Sequence, residues 1–117
     1  MIRRDLHSLF DIVESAELVI RYTKSVSHAD FSSNGQLQDA VIRRLLVVGE
    51  AAGRVSEAGQ NELSTIEWSK IRGLRNRLVH EYDNIDLQVV WDISQTEMAD
   101  LILKIKPLLP SEDQLTL

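Results

Sequence analysis

Apolar positions near the start of the chain repeat at three and four residues: Leu6, Leu9, Phe10, Val13, Ala16 and Ile20. At about 100° per residue this repeat forms one continuous stripe. It predicts a helix from Arg3 to about Val26, with Asp5, Asp11, Glu14, Glu17 and Arg21 on the remaining faces. Residues His28 to Gly35 are rich in cap and turn formers and read as a loop. A second helix is predicted from Gln36 to about Ala58. It carries two stripes, one of Leu37, Val41, Leu45, Val48, Ala52 and Val55, the other of Ile42, Leu46, Gly49 and Gly53. A helix apolar on two faces is central in its bundle or buried against another chain. The small residues Gly49, Ala51, Ala52 and Gly53 allow a neighbour to come close. Close packing accounts for tolerating two helical glycines, each costing about 1 kcal/mol against Ala.

Gly59 stands where a helix C-terminal cap belongs, and Ser64 or Thr65 can cap a third helix from Ile66 to His80 or Glu81. Trp68 would anchor its first turn in the core. Asp86 is a good N-cap for a last helix, Leu87 to about Ile105, with the stripe Leu87, Val90, Trp91, Met98, Leu101, Ile102 and Ile105. Pro107 and Pro110 end it, leaving residues 107–117 as a loosely attached tail. The expected fold is therefore all-α. It is an antiparallel four-helix bundle with room for one short extra helix, and it makes up a single domain over residues 1–117.

Composition supports that class and removes several functions. The 117 residues suffice for one core, and the only two prolines lie near the C-terminus, so long stretches run without a breaker. There is no cysteine, hence no disulfide framework and no thiolate metal site, which suits a reducing cytoplasm. No signal-peptide layout and no membrane-length apolar run are apparent. The net charge is −5, which argues against a protein held on nucleic acid by overall charge. Local cationic clefts remain open, because Arg72, Arg75 and Arg77 cluster, as do Arg43 and Arg44.

The segment from Ile71 to Tyr82 is the most unusual stretch. Read as helix, Ile71, Leu74 and Leu78 face the core, while Arg72, Asn76 and His80, each four apart, stack along a different face. Gly73 lies near that face and offers no side chain. A plain structural reading exists: Arg and His near a helix C-terminus are favoured by the dipole, by about 0.3–1 kcal/mol each. The functional reading is metal-free RNA cleavage. That reaction needs a base for the ribose 2′-OH, an acid for the leaving oxygen and cations around the phosphate. Histidine carries protons near neutral pH and arginine clamps phosphate. One well-placed histidine per chain is few for this chemistry, and a two-fold dimer through the second stripe of helix two would supply another. Glu50 is either a polar member of the site or an ion-pair carboxylate. No second histidine stands at metal-ligand spacing from His80, and no Gly-rich phosphate loop or Gly-x-Ser-x-Gly elbow is present. No cofactor is called for.

Arg75-Asn76-Arg77-Leu78-Val79-His80-Glu81-Tyr82 resembles the Arg-x4-His-x-Tyr signature of HEPN-domain toxins of the HepT type. The likeness extends to Val41-Ile42-Arg43-Arg44 with Val48-Gly49-Glu50-Ala51-Ala52, to Glu67-Trp68 ahead of Ile71-Arg72-Gly73-Leu74-Arg75, and to Val89-Val90-Trp91-Asp92-Ile93. Helix one is similar in character only. The resemblance implies a dimeric helical bundle and a metal-independent endoribonuclease acting on mRNA or tRNA in the cytoplasm. Arg75 and His80 would be catalytic, with Asn76, Arg72 and Arg77 in support. It also implies a partner, a minimal nucleotidyltransferase antitoxin, which transfers AMP to Tyr82 and can associate with the dimer in a larger hetero-oligomer. Two other readings are a catalytically idle helical module that binds a nucleotidyltransferase or a nucleotide, and a structural adaptor in which the motif is coincidental.

Overall fold

The computed structural model describes residues 3–80 and 84–110. Three long helices, α1 (Arg3–Thr23), α3 (Gly35–Arg54) and α7 (Leu87–Ile105), form the frame. Four short ones fill the connections: α2 (His28–Ser32), α4 (Glu57–Glu62), α5 (Trp68–Arg72) and α6 (Leu74–Leu78). A 3₁₀ turn, Lys106–Leu108, follows α7 at Pro107. Among the described residues the only strand-like pairing is one isolated antiparallel bridge, Val79 with Ile85. The all-α expectation holds, and no described helix is long and apolar enough to cross a membrane.

Helix α1 runs antiparallel to both other long helices. Its beginning meets the end of α3, where Asp11 pairs with Arg54 and Asp5 with Ser56. Residues Phe10 to Glu17 lie beside Lys106 to Pro110, and Ile20 to Lys24 beside Ser94 to Ala99. The buried face of α1 is centred on Leu9, Ile12, Val13, Ala16 and Val19. The predicted stripe was therefore set slightly to one side: Leu6, Phe10 and Ile20 are only half-buried flanks. The helix stops at Thr23, short of Val26, and Ser25 takes a left-handed conformation (φ 62°) that turns the chain.

The expected first loop contains α2, capped by the Ser27 hydroxyl, which accepts from the Asp30 N–H at 3.0 Å. Its Phe31 is fully buried and packs on Trp91, on which the His28 ring also stacks. Helix α3 starts at an Asn34 cap and buries Val41, Leu45, Val48 and Ala52, as its first stripe predicts.

Helix α3 ends at Arg54 and not at Ala58. Gly59 is no cap for it; it lies buried within α4. The cause is Asp5, a fully buried carboxylate that accepts from the Ser56 N–H (2.8 Å) and the Ser56 hydroxyl. Ser56 in turn caps α4 by accepting from the Gly59 N–H. A Cβ on Gly59 would lie 2.6 Å from an Asp5 oxygen, so any larger residue forces that buried, hydrogen-bonded carboxylate to shift.

The predicted third helix is not continuous. Neither Ser64 nor Thr65 caps it; the first turn begins after Glu67 without a side-chain cap. Residues 63–67 instead wrap Trp68, whose indole N–H donates to the carbonyls of Gln60 and Leu63. The helix breaks at Gly73 and ends at Leu78. At five residues, α6 is too short to persist alone. Leu74 and Leu78, both fully buried, hold it in place, each contributing about 1.5–3 kcal/mol. Helix α7 begins at its predicted cap, Asp86, whose Oδ1 accepts from the N–H groups of Gln88 and Val89.

Candidate functional site

Gly49 positions the α5–α6 junction. A Cβ there would lie 3.4 Å from the Ile71 carbonyl oxygen and from Leu74 Cβ, so α5 and α6 lie directly against α3. The close approach expected of this glycine is met. Gly53 behaves differently, being exposed with nothing within 4 Å of its Cβ position. The approach at Gly49 sets Arg72 and Arg75 beside Leu46 and Glu50, and these residues line an open cleft of about 200 Å³. Arg75 is exposed and, among the described residues, neither it nor Arg72 has an ion-pair partner. Their planar donor sets are therefore free for a phosphate or carboxylate. Asn76, beside Arg75 on α6, is also exposed.

Arg77 is committed elsewhere. Its guanidinium forms a two-pronged pair with the Glu97 carboxylate of α7, one bond at 2.9 Å, with Lys70 3.9 Å from the same carboxylate. The Glu97 hydrogen bond raises the Arg77 pKa above its ordinary value, with burial opposing. This pair ties the helix bearing Arg75 to α7.

His80 does not stack on a helix face with Arg72 and Asn76, because the helix has broken at Gly73 and ended at Leu78. Val79 is extended (φ −106°, ψ 120°) and bridges to Ile85. The His80 N–H donates to the Asn84 carbonyl, and the Asp86 N–H donates back to the Leu78 carbonyl at 2.9 Å. This return of the chain brings Asp86 to His80, with Nε2 2.9 Å from Asp86 Oδ2. The His80 side chain is 58% exposed, so the ring remains accessible while held at one nitrogen. The His80 hydrogen bond is the chief cause holding the Asp86 carboxyl below its ordinary pKa, followed by the Val89 N–H.

Sequence reasoning identified Asp86 as a cap and missed its second role, because a helical His80 would point away from it. No local pattern in the sequence marks the Val79–Ile85 bridge that brings the two side chains together. Tyr82, the proposed modification site, lies outside the described residues. Among the described residues no three His, Asp or Glu side chains gather closely enough to hold a metal ion.

The motif segment thus presents two unpaired arginines in a cleft and, two residues past the end of α6, a carboxylate-held histidine. The sequence matches the family described as ribonuclease HepT-like over residues 12–108. The chain belongs to that family, and its all-α fold is of the HEPN type. A candidate RNase of Methanocaldococcus jannaschii is 35% identical over 102 residues, covering 86% of this chain and 94% of that protein. A candidate RNase of Caldanaerobacter subterraneus subsp. tengcongensis is 29% identical over 101 residues, 86% of this chain and 90% of its own. A protein of Thermococcus cleftensis named as a probable ribonuclease HepT is 30% identical over 93 residues, 80% of this chain and 84% of its own. No solved structure matches.

Proposed function

We propose that this protein is an endoribonuclease toxin that cleaves mRNA or tRNA without a metal ion, using Arg75 and His80. The reading is carried by one observation: the family-matched segment presents two unpaired guanidinium groups in a cleft and, just past the same helix, an accessible imidazole held by a carboxylate. His80 takes the proton of a ribose 2′-OH as that oxygen attacks the adjacent phosphorus. The bond to the 5′-oxygen breaks, a second group returns a proton to it, and the products are a 2′,3′-cyclic phosphate and a 5′-hydroxyl. Arg75 stabilises charge on the crowded phosphate, Arg72 and Asn76 support it, and Arg77 acts through its hold on Glu97. The second proton carrier is His80 of a two-fold mate, with the half-buried Ile42 and Leu46 face of α3 as the dimer surface.

The regulatory partner is a minimal nucleotidyltransferase antitoxin, placing the pair among type VII toxin–antitoxin systems of the cytoplasm. It transfers AMP from ATP to the Tyr82 phenol with release of pyrophosphate. The added phosphate charge and bulk repel RNA. Expression of the chain alone then arrests growth, and either His80→Ala or Arg75→Ala relieves the arrest while the purified variants keep wild-type helicity. Variants that are both folded and fully toxic refute the assignment.

A further inference from the structure

His80 is bonded to a group that can only accept. Asp86 divides its carboxylate between two tasks: Oδ1 receives the Gln88 and Val89 N–H groups at 3.1 and 3.2 Å, and Oδ2 faces His80 Nε2 at 2.9 Å. An ionised carboxylate has no proton to donate, so Nε2 must carry the hydrogen whether the ring is neutral or charged. In the neutral ring the lone pair is then at Nδ1. The exposure of the ring leaves that nitrogen reachable from solvent. The backbone brings the two residues together, because the Val79–Ile85 bridge and the Asp86 N–H to Leu78 bond pair the strand-like segments that carry them.

We propose that Asp86 is the positioning residue of the ribonuclease site, fixing the His80 ring so that Nδ1 is the nitrogen that takes the 2′-OH proton. This rests on the reading of His80 as a proton carrier. Asp86 itself touches no substrate; it sets which nitrogen is basic and which way the ring faces. The depressed carboxyl pKa agrees with an anion throughout the neutral range.

The geometry separates this role from helix capping. In Asp86→Asn, the Oδ1 atom must stay on the α7 N–H groups, because the amide NH₂ cannot accept from them. The NH₂ then faces His80 and donates to Nε2, which moves the ring hydrogen to Nδ1 and removes the lone pair from the reacting side. In Asp86→Ser the cap is kept, since Asn and Ser cap comparably, but the hydroxyl is too short to reach the ring. A capping role alone therefore leaves the two variants alike. The positioning role makes Asn the worse of the two.

The test is single-turnover cleavage of RNA by the partner-free full chain and both variants, with ¹⁵N spectra of His80 recorded where the ring is neutral. Asp86→Asn is expected to lose about 100-fold or more in kcat, the scale of one general base, with little change in KM. Asp86→Ser is expected to lose less. The spectra are expected to give the Nε2–H tautomer in wild type and Nδ1–H in Asp86→Asn. An Asp86→Asn enzyme as fast as wild type, or a wild-type ring protonated at Nδ1, overturns the proposal. A wild type that cleaves nothing overturns the ribonuclease reading instead. The spectra need no turnover, so the two failures are distinguishable.

Discussion

Replacing Arg77 by Met tests whether this guanidinium holds the fold through Glu97, apart from the two arginines that line the cleft. The substitution keeps a long apolar stem and removes the guanidinium from Glu97. The side chains are only 27% and 20% exposed, and two parallel bonds join them. Exposed ion pairs contribute about 0.2–1 kcal/mol, while removing one partner of a fully buried pair costs about 3–5 kcal/mol. This pair lies between those limits. Lys70, 3.9 Å from the same carboxylate, softens the loss by leaving Glu97 near a cation. A destabilisation of about 1–3 kcal/mol follows. At roughly 3–6 °C per kcal/mol for a domain of this size, Tm falls by about 3–18 °C. Urea unfolding of Arg77→Met, Glu97→Gln and the double variant gives the coupling directly, and a positive interaction energy of about 1 kcal/mol or more is expected. Below the temperature at which the variant unfolds, RNA cleavage should persist. An Arg77→Met protein as stable as wild type but inactive refutes the reasoning and places this guanidinium in the substrate site.

Gly53 and Gly59, helical glycines with contrasting surroundings, make a paired prediction. Gly59→Ala forces a Cβ against the buried Asp5 carboxylate and should destabilise by about 1–3 kcal/mol, whereas Gly53→Ala meets open space and should stabilise by about 0.5–1 kcal/mol. Thermal melts that rank them the other way would contradict the packing. Asp86 should titrate below the ordinary carboxylate value, held down chiefly by the His80 hydrogen bond. Its folded value lies below the unfolded one of about 3.9, so its stabilising contribution is fully present above that pH and is lost as pH falls through the folded value. Carbonyl ¹³C shifts followed through acid show this, and an Asp86 midpoint at or above 3.9 would be at odds with the His80 contact.

The long helices were legible because their apolar repeats are long enough to fix a face. The Asp86 cap was legible because a cap is a local signal. The break at Gly73 was not, because Ile71, Leu74 and Leu78 turn inward whether the helix runs through or is cut in two. Only the close approach to α3 at Gly49 decides between them, and that is a tertiary fact. The same limit hid the ends of α3 and the role of Gly59, since Asp5 and Ser56 are 51 residues apart in the chain. At the site, the residue types and the Arg75–His80 spacing were readable. What Arg77 does was not, because its partner lies 20 residues away on another helix. His80 was expected on a helix face and is instead on an extended return, and this return is what creates its bond to Asp86.

The most direct measurement incubates purified, partner-free protein with total cellular RNA in EDTA, beside His80→Ala, after an intact-mass spectrum has shown the chain to be unmodified. Cleavage by wild type alone, leaving cyclic phosphate ends, is the predicted result. Equal cleavage by both proteins, or none by unmodified wild type, would contradict a metal-independent ribonuclease centred on His80.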